Sequence, residues 1–108
     1  MVKWAKHVYM GERIQKRSTR YMHRVETGHR LAGLYVITLS PHPHNQLEIL
    51  QAVELYQPFE RERLSLIVGL ARDYTEIMEI LYRIIQDADS TGMRGQLKAF
   101  LSQQEGIQ

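Results

Sequence analysis

Two short, almost uninterrupted apolar runs constrain this chain more than anything else in it. They are Leu34-Tyr35-Val36-Ile37-Thr38-Leu39, bounded by Gly33 and Ser40-Pro41, and Leu64-Ser65-Leu66-Ile67-Val68, which stops at Gly69. Both are rich in β-branched and aromatic residues, and neither alternates apolar with polar. A strand with one face in water alternates, whereas a strand covered on both faces does not need to. The runs therefore predict an α/β domain whose sheet lies between helices.

The rest of the chain is read around those strands. The segment from Asn45 to Tyr56 follows a helical pattern, with Asn45 as its cap and Pro58 as its stop. Strand, helix and strand then make a βαβ unit, so the two runs are expected to lie side by side and parallel. Asp73-Tyr74-Thr75-Glu76 has the form of a capping box and opens a long helix. Tyr74, Ile77, Met78, Leu81, Ile84, Ile85 and Ala88 are read as its inner face. A shorter helix over about 93–103 closes the chain. At the other end, Val2 to Tyr9 is expected as a third strand, although Lys6 interrupts its alternation. Glu12 to Glu26 is expected as one helix ended by Gly28. The resulting expectation is one domain over residues 1–108, in two or three layers. Its short, mainly parallel three-stranded sheet follows the order β-α-β-α-β-α-α.

Composition narrows the function classes. With no cysteine among 108 residues, disulfides, thiolate metal sites and cysteine nucleophiles are excluded, and a reducing, cytoplasmic setting is expected. The apolar fraction of 44% supplies a core, yet no run approaches a membrane span or a signal-peptide core, so no membrane association is expected. Net charge is only +2, but unevenly placed. Residues 1–30 hold eight Lys and Arg against two Glu, and the remainder holds six against ten Asp and Glu. That asymmetry points to an anionic partner or to pairing between copies.

Three constellations are candidate sites. Ser40, His42, His44 and Asn45 follow the first run and, in a parallel sheet, would share a rim with Arg72 after the second. Such a rim suits a small anion. His42 and His44 lack the helical spacing and the neighbouring carboxylate of a metal site, so no metal is assigned and no cofactor is expected. Arg13, Lys16, Arg17, Arg20 and Arg24 fall on one side of the expected first helix, a stripe able to follow a phosphate backbone. Leu47, Leu50 and Leu55 fall outside the expected inner face of the middle helix and are candidates for self-association. No nucleophile elbow or isolated carboxylate marks an active site. The leading expectation is a non-catalytic intracellular binding or regulatory module that self-associates as a homodimer. A nucleic-acid-binding protein using the stripe is one alternative, and an anion- or metal-dependent enzyme using the His42–Asn45 loop is another.

Overall fold

A computed structural model of the chain describes residues 2–106. Four strands, β1 (Trp4–Met10), β2 (Tyr35–Leu39), β3 (Leu47–Gln51) and β4 (Ile67–Ala71), form one sheet in the order β1-β4-β2-β3. The two apolar runs are neighbours in it, but they are antiparallel, with Tyr35 opposite Ala71 and Thr38 opposite Ile67. Among the described residues, β1 and β4 alone pair in parallel. The expected three-stranded, mainly parallel sheet is thus corrected to a mixed four-stranded one.

The reversal traces to one segment. Residues 45–56 are not a helix; they form β3 and a 3-10 turn (Ala52–Leu55), and β3 returns against β2 as a hairpin. A helix laid on the sheet buries one stripe, whereas a strand inserts side chains into both faces. β3 does this, packing Leu47 against the core on one face and Leu50 against the core on the other. With no helical crossover after β2, the handedness argument for a parallel pair does not apply.

The inference that survives is burial on both sides. On one face lie α4 (Tyr74–Ser90) and α5 (Leu97–Gln104), with Ile77, Ile80, Ile84, Phe100 and Leu101 packed against Ile37, Val68 and Ala71. On the other lie α1 (Glu12–Gln15), α2 (Ser18–Thr27) and the 3-10 turn, with Ile14, Val25 and Leu55 packed against Val36, Ile67 and Leu70. A short α3 (Pro58–Arg63) leads back toward β4. Every residue of β4 is buried, as its apolar run requires.

Gly69 does not end that run; β4 passes through it. The β2–β4 register shifts so that Ile37 faces Gly69 and Thr38 faces Ile67, leaving Val68 as the extra residue of a bulge. A Cβ on Gly69 would sit 3.2 Å from the Cβ of Ile37, so the bulge closes over a residue without a side chain.

The expected first helix is also divided. α1 and α2 are separated at Lys16-Arg17, where Arg17 leaves helical geometry with φ −136 and ψ 41. Arg13, Lys16, Arg17 and Arg20 stand at helical neighbour spacings, where like charges oppose a continuous helix by a few tenths of a kcal/mol per pair. The break lets Ile14 and Val25 both be fully buried in the same core. Gly28 ends α2 as expected, at φ 73. α4 begins at the expected cap, the Asp73 carboxylate accepting from Glu76 N–H at 2.8 Å. Its inner face is centred on Ile77, Ile80, Ile84 and Ala88, which leaves Tyr74, Met78 and Ile85 outside.

Candidate functional site

Because β2 and β4 run in opposite directions, the loop after β2 and the loop after β4 lie at opposite ends of the sheet. Ser40, His42, His44 and Asn45 are therefore not brought together with Arg72. The hairpin loop closes on itself: Ser40 N–H donates to Gln46 C=O at 3.1 Å, Asn45 N–H to His42 C=O at 3.2 Å, and His42 N–H to Ser40 Oγ at 3.1 Å. α5 pins it, with Lys98 Nζ donating to His42 C=O at 2.9 Å and Lys98 N–H to Gln46 Oε1 at 3.0 Å. Asn45 lies in the loop and caps no helix. Among the described residues no group of three His, Asp or Glu side chains could hold a metal.

Arg72 serves the other end, where its N–H donates to Glu76 Oε1 at 2.9 Å and its guanidinium stands 6.0 Å from the Tyr21 ring. The basic stripe is split by the α1–α2 break. Lys16, Arg17 and Arg20 are exposed, as is Arg13. Arg24 is engaged inside the fold, donating through Nε and Nη2 to Arg30 C=O and standing 4.9 Å above the Tyr21 ring. Leu47, Leu50 and Leu55 face inward to the two cores, and Leu55 is 2% exposed.

A polar cluster joins β1 to α4. Tyr9 Oη donates to Asp87 at 2.6 Å, while Arg83 Nη2 donates to Met10 C=O at 2.9 Å and lies 5.9 Å from the Tyr9 ring. Burial pushes the Tyr9 phenol up to about 12, and the Asp87 carboxylate accepting its proton adds to the effect. A phenol so held is a firm donor and a poor base near neutrality. Its role here is to fasten the strand to the helix.

The apolar surplus sits elsewhere, on the flank of α4 and the neighbouring half of the sheet. Tyr74, Met78, Tyr82 and Ile85 follow the i, i+4, i+8, i+11 spacing of one helical stripe, and they are 59%, 38%, 60% and 42% exposed. The Tyr74 ring meets Tyr35 of β2 edge-on at 5.9 Å between centroids, which places the start of this stripe above the β2–β3 side. Ile49 on β3 pairs with Ile37, whose side chain packs under α4, so Ile49 lies on that same face; it is 36% exposed. A groove of about 1000 Å³ crosses the first turns of α4, from Tyr74, Met78 and Tyr82 to Met10, Gly11 and Gln15. Sequence reasoning placed the surplus on residues 45–56. Applied to α4, the same argument finds it, since its apolar residues span more than one helix face can bury.

No family model, curated protein or solved structure matches this chain.

Proposed function

We propose that this chain is a non-catalytic protein-binding module that works as a self-associated pair, with the open flank of its sheet as the contact surface. The observation that carries the reading is the apolar surface on one side of the sheet: Ile49 on β3, and Tyr74, Met78, Tyr82 and Ile85 on α4, each large and each between 36% and 60% exposed. Completely burying a side chain of this size is worth about 1.5–3 kcal/mol. Covering what remains exposed on such side chains contributes part of that in each copy, set against the cost of bringing two chains together. Contiguous apolar surface of this kind marks protein contacts more than it marks polar ligands. The hairpin loop, by contrast, is tied to itself and to α5 through Ser40, His42, Asn45 and Lys98, and it is separated from Arg72.

Sedimentation across a concentration series tests the reading. The expected result is a mass that climbs from 12.7 kDa toward twice that value between low micromolar and a few hundred micromolar protein. The double variant Ile49→Glu with Met78→Glu should stay at the single-chain mass while keeping its far-ultraviolet circular dichroism. A parent chain that remains single throughout the range overturns it.

A further inference from the structure

We infer that two copies of this chain join through their β3 edges, antiparallel and centred on Ile49, so that one sheet runs across a two-fold axis. The inference rests on the self-association proposed above and names its geometry.

The backbone pattern of β3 supplies the first argument. Ser40 N–H donates to Gln46 C=O at 3.1 Å, and Ala52 N–H donates to Leu34 C=O at 2.8 Å. Backbone groups alternate between the two edges of a strand, so Gln46, Glu48, Leu50 and Ala52 direct theirs to β2. Leu47, Ile49 and Gln51 turn theirs to the free edge. Gln51 N–H is already taken by the Glu54 carboxylate at 3.1 Å. Both groups of Leu47, both groups of Ile49 and the Gln51 carbonyl are left facing outward. In a pairing centred on Ile49, the two Ile49 residues exchange both bonds, and each Leu47 N–H donates to Gln51 C=O of the other copy. Glu54 keeps its bond, so no N–H in the joint is orphaned.

The edge is also lightly defended. Its register with β2 runs without a shift from Tyr35–Gln51 to Leu39–Leu47, and Leu47 to Gln51 contains no proline and one charged residue, Glu48, whose backbone groups face β2. Natural edge strands are normally blunted by bulges, prolines or charges.

The free groups themselves select a second copy as the occupant, because Leu47 N–H and Gln51 C=O complement each other twice about a two-fold axis at Ile49. Charge agrees with this: the Lys98 ammonium sits at the hairpin end, held on His42 C=O at 2.9 Å, and the Glu54 carboxylate sits at the opposite end, on Gln51 N–H. Antiparallel pairing turns the cationic end of each chain toward the acidic end of its mate. On the helix face, each Ile49 side chain is covered by its twin.

Amide hydrogen exchange read residue by residue, at concentrations below and above the association midpoint, tests this geometry. Glu48 and Leu50 amides should be protected at both concentrations. Leu47 and Ile49 amides should exchange freely in the single chain and slow by about tenfold or more in the pair. Ile49→Pro removes an outward N–H and the exposed Ile side chain but no ladder bond to β2, so it should abolish association and leave the protection of Glu48 and Leu50 intact. Association with unchanged exchange at Leu47 and Ile49, or association of Ile49→Pro like that of the parent, overturns the edge pairing while leaving the broader reading standing. A parent chain that never associates defeats the broader reading itself.

Discussion

The two edges of the sheet are built in opposite ways. β1 is irregular: its register against β4 slips between Trp4 and Tyr9, and Lys6 and His7 are exposed within the slip. Side chains occupy its backbone, Glu105 Oε2 accepting Lys6 N–H at 2.8 Å and Arg83 donating to Met10 C=O at 2.9 Å. β3 is regular, and the residues whose backbone groups face its free edge, Leu47, Ile49 and Gln51, are uncharged. A bulge, a lysine and covering side chains together close one edge to further pairing. The other edge has no bulge and no lysine, and its one covering side chain, Glu54, reaches only Gln51 N–H; the exposed apolar stripe of α4 begins above neighbouring β2. The asymmetry leaves one edge open to further pairing and closes the other.

The largest effect that sharpens this contrast comes from proline at adjacent positions of β3. Leu50→Pro removes a ladder bond to β2 and should cost about 3 kcal/mol or more. Ile49→Pro should cost far less, because its N–H faces outward; urea denaturation of both variants reads the difference. Equal destabilisation would break the assignment of edges.

The closed edge has its own signature in alkali. The Tyr9 phenol ionises near 12 in the folded chain, against an ordinary value of 10.0. Below pH 10 both folded and unfolded states hold the proton, and the full contribution is present. As pH climbs from 10 toward 12 the unfolded state releases its proton first, so stability falls by roughly 2–3 kcal/mol. Tyr9→Phe should remove this component of the alkaline decline, measured by denaturation at a series of pH values.

Smaller effects come from the interior and from the β1 cover. Thr38 Oγ1 is buried without a hydrogen-bond partner, and the residue is 1% exposed. Thr38→Val should therefore stabilise by about 1 kcal/mol, because the hydroxyl is desolvated for no return. Glu105→Ala frees Lys6 N–H at the β1 edge and should cost about 0.5–1 kcal/mol. Faster exchange of the Lys6 amide would accompany it.

The sequence discloses the layers of this fold more readily than its directions. Apolar continuity in residues 34–39 and 64–68 reports that both faces are covered, and α helices do cover both. It contains nothing about strand polarity, which was inferred from a helix that does not form. Ile49, Ala52, Val53 and Tyr56 satisfy helical spacing, yet Leu47 and Ile49 also satisfy a strand, with Glu48 and Leu50 on the reverse face. In a run this short the two periods overlap, and tertiary packing chooses. The caps were legible because they are local: Asp73 opens α4 and Gly28 ends α2. The histidine loop read as a site only through the parallel arrangement, and separates from Arg72 once that arrangement reverses. The α4 flank was half visible. Tyr74, Met78 and Ile85 are apolar, but the buried arc of Ile77, Ile80, Ile84 and Ala88 extends to Ile80 on the far side and leaves them at its exposed margin.

The parallel pairing of Trp4 with Ile67 bears on how the chain is made. During synthesis the first strand leaves the ribosome long before its only neighbour in the sheet exists, while the β2–β3 hairpin can close as soon as its own residues are out. Long-range pairings of this type are slow to form and late to arrive. The segment carrying Lys3 and Lys6 therefore stays unpaired in the sheet until residues 67–71 have followed it.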